Sequence, residues 1–237
     1  MKVSTIISAV RTVLLDNFSY GDSSYSDPEL IGFYNRACNF CVDLSSTCNP
    51  VTKVVSLAAG VSQKIPPSGG RINGFLHNDL TTSFKAGIMT YKAKHSPKEI
   101  DYSALIRQIP GFASEKPSAG VAHVCYDQSS PKDFVVYPPN DGTGKLVVRY
   151  TEYPAPAATL NDEIVLGSDY HEAIINYTLY LCLTRDGEDT ANSARADAFF
   201  KTASMALQGS DAIKYAFSAK PTLRRSEEHT SELQSRQ

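Results

Sequence analysis

The sequence predicts an α+β protein: a four-helix bundle built from N- and C-terminal helical hairpins, with a β-rich, sandwich- or barrel-like insertion between them. Three observations predict it. Apolar residues recur at helical spacing over residues 3–44 and again over 173–206. The stretch between changes to β-branched and aromatic runs broken by Gly and Pro. The 237 residues are 42% hydrophobic, enough chain to bury a core in one large domain or two small ones. The implied division is 1–48 with 160–215 as the helical bundle, 49–159 as the β-rich domain, and 216–237 as an extended tail.

Val3, Ile6, Ile7, Val10, Val13 and Leu14 form one stripe, so a first helix starts at or just before Ser4. Residues 17–26 are polar and read as a loop. Ser26-Asp27-Pro28-Glu29 starts a second helix, with Ser26 and Glu29 as a capping box or Asp27 as the cap before Pro28. Its stripe is Leu30, Tyr34, Ala37, Cys41 and Leu44. Neither helix is stable alone, so each must bury its stripe. After Asn49-Pro50 the period becomes extended. Val51 to Leu57 is a strand, Ala58 to Gly60 a turn, and Val61 to Ile65 a returning strand stopped by Pro66-Pro67. Arg71 to Leu76 and Lys85 to His95 are further strands. Glu99 to Ile109 is a short helix ended at Pro110-Gly111.

Val121 to Tyr126 alternates, with Ala122, Val124 and Tyr126 on one face and His123 on the other. Asp127 to Asp133 supplies turn residues. Phe134 to Tyr137 is β-branched and aromatic throughout, a strand covered on both faces. Pro138-Pro139 should end it, because neither residue has an N–H to donate. The Gly-rich loop Asn140–Gly144 leads to a third strand, Leu146 to Tyr150. From Asn161 the chain turns helical again. Asp169 and Glu172 suit a capping box, and Ile174, Tyr177, Leu181 and Thr184 form a stripe. Arg185 to Asp189 breaks the helix. A last, Ala-rich helix covers Thr190 to Gln208, with Gly209 as its stop.

The chemistry legible in the residues is sparse. A net charge of −2 does not fit a general nucleic-acid binder. No apolar run approaches the ~20 residues that span a bilayer, and Arg11 and Asp16 interrupt the apolar start, which argues against a signal peptide. Five cysteines, an odd number, read as thiols in a reducing compartment. Cys38-x-x-Cys41 with Cys48 resembles part of a zinc site, but His77, His123 and Cys125 supply no second pair. Small buried hydrophobes are the simpler reading. Gly142-Thr143-Gly144-Lys145 lacks the four-residue gap of a phosphate loop and reads as a hairpin loop. Asp127 and Asp133 flank one turn and Asp162-Glu163 precede a helix; turn and cap chemistry explains both pairs. His123 and His171 read as satisfied structural residues. No catalytic, cofactor-binding or metal-binding residue is predicted, and no cofactor. The 13 Tyr, 10 Phe and absent Trp point instead to interfaces, where Tyr is favoured. Tyr137, Tyr150, Tyr153, Tyr170, Tyr177 and Tyr180 serve either a core or a subunit contact.

Several segments, in order, carry a resemblance: Ser26 to Ala37 (S-D-P-E-L-I-G-F-Y-N-R-A), Val55 to Pro66 (V-S-L-A-A-G-V-S-Q-K-I-P), Tyr126 to Pro139 (Y-D-Q-S-S-P-K-D-F-V-V-Y-P-P) and Tyr170 to Tyr180 (Y-x-x-A-I-I-N-Y-T-L-Y). Over residues 1 to 215 the chain resembles the head–tail adaptor or connector proteins of tailed bacteriophages, although Cys38, Cys41 and Cys48 depart from the pattern. The resemblance implies a structural virion protein at the head–tail junction, made in the host cytoplasm. Such adaptors form a ring of copies of themselves, often a dodecamer. The ring binds the portal protein and a downstream tail, nozzle or tail-completion protein. It helps retain DNA and passes it without sequence-specific binding, and no membrane is involved. Under that reading Tyr215, Phe217 and Lys220 are the candidate portal contact. Two alternatives are a tail-associated glycan-cleaving enzyme, which needs two carboxylates converging in a cleft, and a non-catalytic β-sandwich binding module, which long terminal helices oppose. Arg225 to Ser235 resembles a translated sequencing adapter, so 225–237 is read as non-native.

Overall fold

Helical periodicity at both ends and extended runs between them produce the predicted order. In the computed structural model, residues 1–15, 24–127, 129–185 and 190–218 are described, apart from the side chains of 190, 191 and 213–218. The first half runs α1 (Val3–Leu14), α2 (Asp27–Leu44), β1 (Pro50–Ser56), β2 (Ala59–Lys64), β3 (Gly69–Asn78), β4 (Phe84–Ala86), β5 (Met89–Tyr91) and β6 (Lys98–Glu99). The second runs α3 (Tyr102–Gln108), β7 (His123–Tyr126), β8 (Asp133–Asp141), β9 (Lys145–Glu152), α4 (His171–Arg185) and α5 (Thr190–Ser218). The protein is α+β.

The helical core joins Ile6 and Ile7 of α1, Leu30 and Cys41 of α2, Ile174 and Leu179 of α4, and Leu207 of α5. α4 packs against α1, α2 and α5. It therefore buries residues around most of its circumference, including Thr178, Leu179 and Leu183, while Thr184 of the expected single stripe is exposed. The helix starts are set by distant contacts. Val3 and Ser4 donate their N–H groups to the carbonyls of Asp162 and Leu160. Ser26 is the N-cap of α2 but makes no side-chain cap bond. Asp27 instead accepts from Arg11 at 2.7 Å, and the buried Arg11 also reaches the Tyr25 carbonyl at 3.0 Å.

Two sheets enclose a second core. One has the order β1-β9-β3 and the other β2-β8-β7-β6. Val55, Ile72, Val148 and Tyr150 from the first meet Val124, Phe134 and Val136 from the second. The returning strand after Gly60 does not pair with β1, because the chain crosses between sheets there. Leu57 is buried and bonds Gly144, and the Gln63 side chain bonds both backbone groups of Ala58 and the carbonyl of Gly60. Nor do the prolines end β8, which runs through Pro138-Pro139 to Asp141 with a cis Tyr137–Pro138 bond. The register against β2 jumps from Gly60–Asn140 to Ser62–Val135, so the prolines lie in a bulge where no ladder N–H is required. On the other side Tyr137 and Pro139 contribute carbonyls, accepting from Ala122 and Ser118.

The expected strand Lys85 to His95 is a hairpin, β4–β5, turning at Gly87 with φ +55°. Phe84 and Ala86 turn inward to a third core with Leu105, Phe112 and Tyr137. The helix expected from Asn161 begins later, with a 3-10 turn at Ser168–Tyr170. The Asp162 carboxylate folds the preceding loop by accepting from Ala158 and Thr159.

α5 passes straight through Gly209 to Ser218. Tertiary bonds hold the overrun. Ser210 donates to the Asp169 carbonyl, and Asp211 accepts from Ser45 and Thr47, each at 2.6 Å. Gly209 is exposed, and a Cβ there would meet nothing within 4 Å. Gly209→Ala is therefore expected to stabilise the protein by about 0.5–1 kcal/mol, read as a higher urea midpoint.

Candidate functional site

Two concave regions hold the residues with chemical potential. The larger is an open groove of about 920 Å3 where β2, β8 and β7 meet the start of α3. It brings Asp127 and Asp133 together with Asp101, which sequence reasoning had not singled out, and with Tyr102, Tyr126 and Lys64. Each carboxylate already has a structural task. Asp101 caps α3, accepting from the N–H and hydroxyl of Ser103, both at 2.7 Å. Asp127 accepts from Ser129 N–H at 2.9 Å. These bonds to Ser103 and Ser129 hold the two carboxyls below the usual range. Asp133 pairs with Lys64 at 3.1 Å. Glycoside hydrolysis needs one carboxyl that keeps its proton near neutrality; Asp101 and Asp127 are shifted the opposite way.

The second region is a cavity of about 440 Å3 between α2 and the segment 153–166. Tyr34, Cys38, Tyr153, Pro156 and Val165 line it, and its two charged lining residues are Asp162 and Glu163. The segment is tied to α2 by Asn35, whose carboxamide donates to the Ala157 carbonyl and accepts from the Ala157 N–H. The far end of the segment is tied to the N-terminal backbone through the Lys2–Glu163 bridge and the bond from Ile164 N–H to the Met1 carbonyl.

All five cysteines are buried thiols. Cys38, Cys41 and Cys48 belong to the helical core. Burial pushes the Cys38 thiol up to about 11, against a lowering hydrogen bond from Tyr34, and pushes Cys41 higher still. A thiol held protonated is a poor metal ligand. Among the described residues no group of three His, Cys, Asp or Glu side chains is placed to hold a metal ion. Gly142 to Gly144 forms the β8–β9 loop, but not the expected hairpin: β8 and β9 belong to different sheets, and the loop crosses between them. Its N–H groups are occupied by the chain itself, with Asn140 taking Gly142 and Gly144, and Asp141 taking Thr143. No cradle of open N–H groups is left in it for phosphate.

His123 lies half-buried against the Tyr137 ring, centroids 5.8 Å apart, and its Nδ1 is buried without a hydrogen-bond partner. Burial, then Lys98 and His95, lower its pKa. The folded state thus binds this proton less readily than the unfolded chain, whose imidazole titrates near ~6.5. Stability is full above ~6.5 and is expected to fall as pH drops from there through the lowered folded value. His123→Gln should remove that part of the slope in a series of urea midpoints against pH. The lowered carboxylates Asp101, Asp127 and Asp162 lose their contributions in a separate window, below ~4.

The aromatic residues divide. Tyr137, Tyr150 and Tyr170 are buried in cores. Phe40 and Tyr177 stack at 3.8 Å in a seam that Tyr180 and the 40%-exposed Phe200 extend to the surface. Tyr215 and Phe217 fall on α5, but their side chains, and Lys220 altogether, lie outside the described residues. No described helix is long and apolar enough to cross a membrane.

Residues 1–224 match the family model described as SU10 adaptor protein. The match stops one residue before the adapter-like stretch at Arg225. No curated protein matches the chain.

Proposed function

This chain belongs to the SU10 adaptor protein family, and from that premise we propose that it is the head–tail adaptor of a tailed phage, forming a ring of its own copies between portal and tail. The family match over residues 1–224 carries the reading and agrees with the resemblance in the sequence. A phage structural adaptor is the coarser statement it supports directly; the ring, the portal and the passage of DNA are the proposal. In this reading the helices of 1–48 and 160–215 form a four-helix bundle, and 49–159 forms a β-rich domain beside it. Ring formation needs two different, complementary patches on each copy. The near-neutral charge suits DNA passing through without being read. The C-terminal residues Tyr215, Phe217 and Lys220 reach the portal.

The test is the solution mass of the chain by light scattering, alone and mixed with the portal protein of the same genome. A ring-sized complex with portal supports the reading. A monomer that ignores portal sinks it. Deleting everything after Ala212 spares the Asp211 bonds to Ser45 and Thr47, so unchanged portal binding by that variant would remove the C-terminal contact while leaving the ring.

A further inference from the structure

The β4–β5 hairpin ends in an apolar tip that the fold does not use. Ile88 is 99% exposed and Met89 58%, while Phe84 and Ala86 anchor the hairpin's base in the third core. The tip stands in a cationic setting. Residues 80–98 contain Lys85, Lys92, Lys94 and Lys98 and no Asp or Glu. Lys94 pairs with Asp79; Lys85 and Lys92 are exposed beside the tip.

The helical half carries the complement. The cavity between α2 and segment 153–166 is lined by apolar groups of Tyr34, Pro156 and the 59%-exposed Val165, and its charged lining residues, Asp162 and Glu163, are both acidic. The exposure of Ile88 shows that the tip does not fill the cavity of its own chain.

We propose that Ile88 of one copy inserts into this cavity on a second copy, with Lys85 and Lys92 facing Asp162 and Glu163. The proposal rests on the ring reading above and names the two patches that make the ring. The patches differ, so the contact is heterologous and repeats head to tail until the rotation closes. Apolar knob meets apolar socket, and opposite charges surround both, which gives specificity as well as attraction. Duplex DNA would match the lysines but leave Ile88 in water, which is why a second copy is the better occupant.

Ile88→Asp in the full chain tests it, since a side chain this exposed supports no fold contact. Light scattering and sedimentation, with and without portal protein, should show self-association weakened by on the order of tenfold or more. Lys92→Glu should weaken it as well, and adding Glu163→Lys should restore it. Ile88→Cys with Val165→Cys should form an inter-chain disulfide on mild oxidation, because the native thiols are buried. Wild-type assembly with equal assembly by Ile88→Asp overturns the docking and leaves the ring reading standing. Unchanged assembly together with lost retention of duplex DNA by Lys85→Glu/Lys92→Glu overturns it in favour of nucleic acid. A wild-type chain that stays monomeric throughout overturns both readings.

Discussion

Asn140→Ala is expected to lower the unfolding free energy by about 2–4 kcal/mol, because one buried carboxamide satisfies four backbone groups, of which the Gly144 N–H is buried and the others are partly exposed, at up to about 1–3 kcal/mol each. Asn140 is 1% exposed. Its Nδ2 donates to the carbonyls of Ser118 and Ala119, both at 3.1 Å. Its Oδ1 accepts from Gly142 at 2.9 Å and Gly144 at 3.2 Å. The side chain thus pins the β8–β9 loop to the segment that leads into β7. Water entering the space left by alanine would recover some of the bonds, which is why the expected loss falls short of four full penalties. Asn140→Asp separates the halves of the network. It keeps both acceptor bonds to the glycine N–H groups but turns a carboxylate oxygen toward two carbonyls, and should cost at least as much at neutral pH. Urea midpoints measure both. A loss under ~1 kcal/mol for Asn140→Ala would show that the loop is held by something else.

Gly70→Ala should cost about 2–3 kcal/mol through overpacking alone. Gly70 is where β3 crosses the end of α2. A Cβ there would lie 2.6 Å from Val42 Cγ1, 2.8 Å from Thr151 Oγ1 and 3.3 Å from the Val42 carbonyl. Val42 and Thr151 are both fully buried, so neither can swing into solvent. The contact sits within the polar junction between α2 and the sheet. Asn73 donates to the Ser46 carbonyl at 2.6 Å, Arg71 N–H to Thr151 Oγ1 at 2.9 Å, and Tyr153 hydrogen-bonds Asp43. A double-mutant cycle identifies the cause. Val42→Ala removes the closer of the two colliding groups and leaves Thr151 Oγ1, so Gly70→Ala should cost less in that background than in the wild type. Equal costs in both backgrounds would place the damage at Thr151 or in the backbone instead.

Much of the local structure was legible. The stripe from Val3 to Leu14 marks α1 to within a residue, and Asp27–Leu44 begins at the Ser26-Asp27-Pro28 signal. β7 and β9 lie at the strands expected over Val121 to Tyr126 and Leu146 to Tyr150. Four misses share one kind of cause. The returning strand after Gly60 pairs with β8 and not β1, since alternation reports a buried face without naming the neighbour. Pro138-Pro139 continues β8 because β8 itself bulges there, leaving the prolines out of the ladder with β2. α5 overruns Gly209 because Asp211 finds Ser45 and Thr47, more than 160 residues earlier. The Lys85–His95 run hides a hairpin, and with it the exposure of Ile88, which no period could reveal.

For the candidate sites the division is the same. Residue types were enough to set the cysteines among buried groups, because that reading depends on the residues themselves. The hairpin read at Gly142 to Lys145 fails, because β8 and β9 lie in different sheets and sequence proximity does not say which strands pair. The resemblance in segment order was enough to reach the adaptor family. The convergence of Asp101 with Asp127 and Asp133, the cavity behind Asp162, and the distant bonds that hold the starts of α1 and α2 came only with the packed structure. Each depends on hydrogen bonds and contacts between elements far apart in the chain, and such pairings leave no periodic trace in the residues that make them.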